Sequence, residues 1–240
     1  MAARQKPGRP LSETPEKRES VLLSLALNIA IPAFILMKLS GDGALGPVGG
    51  LVVALAFPLG YGLWDFSRRR EWNLISILGF VSVLLTGGIG LLQLDPKWIA
   101  VKEAAVPGLI GVAVLLSLRT RFPIVRTFLY NDKIIRVDLV DEALARRGNH
   151  SAFERTLVNA SWMLAASFFV SSVLNFVLAK LIVKSPPGTT AFNEELGRMT
   201  ALSYPVIVVP SMIIMIAALW YLFHRIRSLT ELDLEQILKT

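Results

Sequence analysis

A chain of 240 residues that is 53% hydrophobic, with a mean hydropathy of +0.56, is too apolar for an ordinary soluble domain, so its expected solvent is lipid. The net charge of +7 fits the basic excess of cytoplasmic loops better than a nucleic-acid surface, and no nucleic-acid partner is expected. With no cysteine, the chain excludes disulfides, zinc–thiolate sites, iron–sulfur clusters and thiol nucleophiles.

Residues 1–19 mix three prolines with charges and read as a disordered basic cytoplasmic tail. The apolar run behind them is too long for a signal peptide and lacks a small-x-small cleavage site, so it reads as a retained helix. Six apolar stretches follow, at 20–39, 43–66, 73–94, 99–118, 157–183 and 200–223. Each approaches or exceeds the roughly 20 residues a helix needs to cross the hydrocarbon core. The predicted fold is an all-α polytopic membrane bundle of about six transmembrane helices over 20–227, with a short C-terminal segment at 228–240. The fourth stretch opens with Lys102 and Glu103, and its failure to insert would move the C-terminus to the other side.

Under the six-helix reading, 19 of the 25 Lys and Arg fall on the side of the termini and six (Lys38, Lys97, Lys102, Lys180, Lys184, Arg198) on the other. By the positive-inside rule both termini are then cytoplasmic and the helices form three in-out-in hairpins. Leu27-Asn28 before Lys38 and Leu174-Asn175 before Lys180 hint at a hairpin repeat, although any basic-flanked pair of helices would look similar. The cytoplasmic loop 119–156 sets Phe122, Ile124, Val125, Phe128 and Leu129 among Arg119, Arg121 and Arg126, then a short helix from Asp138 to Arg147. Such an amphipathic stretch is expected to lie against anionic inner-leaflet lipids, with a partner-docking surface as the alternative.

No catalytic motif is present, the only histidines are His150 and His224, and neither enzyme activity, a cofactor nor a metal is expected. Polar residues within the apolar stretches are the better lead, because burying them is costly. Lys102 and Glu103 are the outstanding pair. With Asn193, Glu194, Glu195 and Arg198, which approach the sixth helix from the same side, they predict a mixed-charge cluster at the outer mouth; alternatively Lys102 snorkels to the headgroups. On the fifth helix Trp162, Ala165, Phe169, Ser172, Asn175 and Ala179 share one face, which reads as helix packing with Asn175 bonding a neighbour. Gly46 with Gly50, and Ala56 with Gly60, permit close helix contacts. Prolines at 32, 47, 58, 107, 205 and 210 and glycines at 87, 88 and 90 fall in or beside helices and leave a transporter-like reading open. Two functions follow: a membrane scaffold, or a small transporter or lipid-handling protein with a cavity between helices four, five and six.

Three stretches resemble the intracellular septation protein A family of bacterial inner membranes, and more closely an uncharacterised sister family of similar length. They are residues 86–107 (TGGIGLLQLDPKWIAVKEAAVP), 121–130 (RFPIVRTFLY) and 153–179 (FERTLVNASWMLAASFFVSSVLNFVLA), with Asn193 at the approach to the last helix. The chain differs in its basic tail, in an acidic insertion around Asp138 to Glu142, and in one helix more than the family's usual five. The resemblance implies a multi-pass bacterial inner-membrane protein without enzyme activity, serving cell-envelope maintenance through contacts with division or envelope-synthesis proteins. It singles out Asp95, Trp98, Lys102, Arg126, Trp162, Asn175 and Asn193.

Overall fold

Apolar runs in lipid become helices because only a helix satisfies its own backbone donors and acceptors there. The computed structural model describes residues 26–69, 74–120, 123–130 and 134–239. The tail 1–19, the first residues of the first predicted helix, and Arg70, Arg121 and Phe122 lie outside the described residues. Helix α1 is Ile31–Lys38, preceded by a π turn at Ala26–Ala30; α2 is Gly46–Arg69, α3 Leu74–Leu91 and α4 Lys97–Ser117. After the short helices α5 (Ile124–Leu129) and α6 (Val137–Arg147) come α7 (His150–Ile182), α8 (Thr190–Ser203) and α9 (Val209–Thr230), and last α10 (Leu234–Ile237). Strand structure among the described residues is limited to one antiparallel bridge, Ile135 to Leu238.

Four helices are long and apolar enough to cross a membrane: Gly46–Trp64, Lys97–Ser117, His150–Ile182 and the continuous Thr190–Thr230. The doubtful fourth stretch is among them. Its two charges stand near one end, and the 21 residues keep a mean hydropathy of 1.9. Leu27–Lys38 and Ile77–Leu91 are shorter apolar helices.

Two helices are longer than their apolar runs predict. The fifth begins at His150 rather than 157, and the sixth at Thr190 rather than 200. Their added turns are amphipathic, burying Phe153 and Thr156 in one and Phe192 and Leu196 in the other, so a search for continuous apolar runs misses them. The early start of α8 is fixed by Thr189, whose Oγ1 accepts from Phe192 N at 3.2 Å, a side-chain N-cap. At 1.5 Å per residue, 33 and 41 residues extend ~50 and ~60 Å, well beyond a ~30 Å hydrocarbon core. The helix Thr190–Thr230 stays continuous through Pro205 and Pro210 by a π turn at Tyr204–Val208, where Val209 N–H reaches back to Tyr204 O. Proline removes an amide donor, and the widened turn absorbs the lost bond.

The helices pack in a closed ring: α1 on α2, α2 on α3, α3 on α4, α4 on α7, α7 on α9, and α8 back onto α1. Two apolar cores hold it. One, at the end carrying the loops 39–45, 92–96 and 183–189, gathers Leu36, Leu51, Ile99, Ala179, Phe192 and Leu196. The other lies at the opposite end, where the described parts of the 119–156 loop and of the C-terminal segment fold into a cap on the projecting ends of α7 and α9.

Val125, Ile135, Val140 and Leu144 of this loop are buried against Phe153, Leu157, Leu222 and Ile226. The apolar face expected to rest on lipid is therefore covered, for these residues, by protein. Ser117 Oγ accepts the Ile124 amide at 2.9 Å, fastening α5 to the end of α4. The C-terminal segment is likewise no loose tail. Ile237 is fully buried, and the bridge bonds Arg136 N to Ile237 O and Lys239 N to Ile134 O are each 2.9 Å.

Candidate functional site

One face of α4 is apolar and open: Val101, Leu109, Val112 and Leu116 are all exposed. With 3.6 residues per turn, Glu103, Val106, Pro107 and Ile110 point away from that face. They line a groove of about 350 Å³, walled by Leu78, Gly79 and Ser82 of α3 and by Ser171 and Asn175 of α7. Lys102 stands about 8 Å along the helix from its first residue. It is only 8% exposed, and its Nζ donates to Glu103 Oε1 at 2.6 Å and to Ser82 Oγ at 3.2 Å. The ammonium is thus held by a carboxylate and a hydroxyl from a second helix rather than released to a headgroup region. Asn175 Nδ2 donates to Ser171 O on its own helix at 2.8 Å, so the expected bond to a neighbouring helix is replaced by an intrahelical one. These bonds use Glu103 Oε1 and the Asn175 amide nitrogen. The second Glu103 oxygen and the Asn175 carbonyl remain acceptors on the lining of an otherwise apolar groove, an arrangement able to hold a group bearing hydrogen-bond donors.

No family model, curated protein or solved structure matches the chain.

The mixed-charge cluster is not assembled, because Asn193 and Glu195 are committed to neighbours of their own. Asn193, 1% exposed, donates from Nδ2 to Pro47 O at 2.6 Å and so joins α8 to the start of α2. Glu195 accepts from the Lys184 and Ser185 amides, each at 2.8 Å, and from Ser185 Oγ. Glu194 and Arg198 are exposed on the same helix. Asp95 accepts the Lys97 amide at 2.9 Å, and that bond together with the Lys97 ammonium holds its carboxyl below the usual range. The groove also lies elsewhere than expected, among the third, fourth and fifth predicted helices rather than the fourth, fifth and sixth.

Of the fifth-helix face, Ala165 is buried and Ser172 Oγ donates to Ala104 O at 2.7 Å, joining α7 to α4. Trp162 is exposed, as is Trp98 on α4. The α4–α7 interface also uses residues the sequence reading passed over. A Cβ on Gly108 would stand 3.1 Å from Ser172 Oγ, and one on Gly111 3.2 Å from the Phe169 ring. Their spacing of three on one helix face was the available signal.

At the cap, Arg126 pairs with Glu154 at 2.9 Å, Tyr130 OH donates to Asp141 Oδ1 at 2.7 Å, and Asn149 Nδ2 donates to Leu229 O at 2.9 Å. Arg147 of α6 pairs with Glu231, which follows α9 with φ of 57°. The hydrogen bond from Arg147 pulls the Glu231 carboxyl below its ordinary value of 4.5. A depressed carboxylate contributes stability that is present above its ordinary value and is lost as pH falls through the lowered one. Protection of the amides at 231–239, taken relative to the intrinsic exchange rate at each pH, is therefore expected to hold at pH 6 and to fall below pH 4.5. Glu231→Gln should show the lower protection at both; equal acid sensitivity in the variant would place the responsible group elsewhere.

Proposed function

We propose that the chain is a six-crossing protein of the bacterial inner membrane, with both termini in the cytoplasm, that serves as a non-enzymatic scaffold in envelope maintenance or septation. The observation that carries this reading is the folded cap. It presents Arg126, Arg136, Arg146, Arg147 and Arg155 as exposed residues on one end of the bundle. Arg126, Arg146 and Arg147 are paired with Glu154, Glu142 and Glu231, so the cap carries mixed charge, and a folded, charged surface beside the inner leaflet is suited to holding a membrane partner. The exposure of Trp64 and Trp220 near the basic ends of their helices, and of Trp98 at the opposite end, agrees with a bilayer between them. The resemblance to septation proteins supplies the class of partner, a division or envelope-synthesis protein.

Topology is tested with single cysteines in intact cells. Those at Asp42, Asp95 and Pro186 are expected to react with an impermeant maleimide, and those at Arg146, Ser151 and Glu235 only after permeabilisation. Labelling of Glu235 in intact cells would remove one crossing and the assignment of sides. For the scaffold itself, a photo-crosslinking residue at Arg146 is expected to give adducts with division or envelope-synthesis membrane proteins. Adducts with lipid alone would sink it.

A second reading, a small transporter or lipid-handling protein, is favoured by the Lys102–Glu103–Ser82 arrangement, since an ionisable pair held at membrane depth commonly marks a ligand path.

A further inference from the structure

Three of the six basic residues on the non-cytoplasmic side of the proposed topology converge on one place. Lys97, Lys180 and Lys184 line a groove of about 500 Å³ between the start of α4 and the end of α7, with Asp95 beside them and Ala100, Val101, Phe176 and Val183 as its apolar part. We propose that this groove binds the phosphate headgroup of a membrane phospholipid.

The charge balance favours an anion. Asp95 is engaged by Lys97 at 3.0 Å, and Glu195 by the Lys184 and Ser185 amides. Lys180 has its Nζ 5.9 Å from the centre of the Phe176 ring, and among the described residues neither Lys180 nor Lys184 has a carboxylate partner. Two ammonium groups thus stand over one groove with a single, already paired acid. The positive-inside rule makes such a concentration of lysine unexpected on this side unless an anion meets it.

The apolar part argues for a lipid over a soluble phosphate. Val101 and Phe176 are exposed within the groove, and Val173, Val177 and Leu181 continue an exposed apolar strip along α7. A headgroup at the lysines would lay an acyl chain on that strip. Trp98, exposed one residue beyond Lys97, stands at the matching level for an interfacial aromatic.

The proposal rests on the membrane reading but not on the scaffold role, and the test separates them. The full chain is reconstituted in nanodiscs of phosphatidylcholine containing a minor fraction of phosphatidylglycerol, and retained lipid is identified by native mass spectrometry. Failure to reconstitute would defeat the membrane reading itself. In reconstituted protein, one phosphatidylglycerol should be retained, and Lys180→Gln with Lys184→Gln should weaken retention on the order of 30-fold, about tenfold or less per lysine. Lys180→Arg with Lys184→Arg should keep it, as should the charge-matched pair Lys38→Gln with Lys239→Gln. Equal loss in both glutamine pairs would reduce the effect to net charge and overturn the site. In a second arm, 50 mM inorganic phosphate is added. Displacement of the lipid by phosphate at that concentration would overturn the lipid assignment in favour of a soluble phosphate compound; retention supports it.

Discussion

Gly197→Leu is expected to lower the thermal stability of the detergent-solubilised protein by about 1–3 kcal/mol and to loosen α1 from the bundle. Gly197 lies on α8 where it crosses α1, and a Cβ there would stand 2.9 Å from the Ala33 carbonyl oxygen and 2.6 Å from Met37 Cγ. The methionine can move aside, but the carbonyl belongs to helix backbone and cannot, so the helices must separate. That separation would strip cover from Leu36 and Leu196, both within the apolar core at this end. Gly197→Ala should show the sign of the contact more cleanly, because alanine gains up to ~1 kcal/mol in helix propensity while meeting the same carbonyl. Gly60→Leu is the contrast, since nothing lies within 4 Å of a Cβ at that position. Unfolding followed by circular dichroism should show a lowered midpoint for Gly197→Leu and none for Gly60→Leu. An unchanged midpoint in both would mean that α1 does not pack closely on α8.

That pair of glycines also marks where sequence reading succeeds and where it stops. Hydropathy finds the membrane-capable stretches, because lipid demands about 20 apolar residues whatever the tertiary fold. It finds Lys102 for the same reason, as a charge inside an apolar run, and it finds Asn193 only as a neighbour of the last helix. What covers a given face is not written in the periodicity. Val125 and Leu144 would show the same spacing on lipid or under a cap, and only the fold reveals that Leu222 and Ile226 meet them. Small residues are equally mute about their partners. Gly50 does approach Ser40, with a Cβ 2.9 Å from Ser40 Cα, whereas Gly60 is open, and other close helix crossings use Gly87 and Gly90 against Leu55 and Leu51, Gly108 and Gly111 against α7, and Gly197 against α1. The start of α8 was hidden by its polar residues, Asn193 to Arg198, which lower hydropathy without weakening a helix capped by Thr189. The proposed charged cluster failed for a related reason. Residues on the same side of a membrane need not share a space, and Asn193 bonds to the start of α2 while Glu195 bonds to the loop before its own helix.

Lys102→Met should cost more than any other single change in the groove. It leaves Glu103, whose side chain is 26% exposed, without the ammonium 2.6 Å away. Removing one member of a buried pair typically costs ~3–5 kcal/mol, because the survivor is stranded, and the partial exposure of Glu103 places this case toward the lower figure. Glu103→Gln should be milder: the amide oxygen still accepts from Lys102, and Ser82 Oγ at 3.2 Å remains a second acceptor. The double variant Lys102→Met with Glu103→Gln should regain much of the loss, since no unpaired charge is left beside Val106 and Ile110. The cycle therefore measures the coupling of the pair apart from the packing of either side chain. A coupling near zero, with Lys102→Met no worse than Glu103→Gln, would mean that Lys102 reaches water or headgroups and that the pair is not sealed. A large coupling would instead show that the two charges hold each other inside the helix bundle.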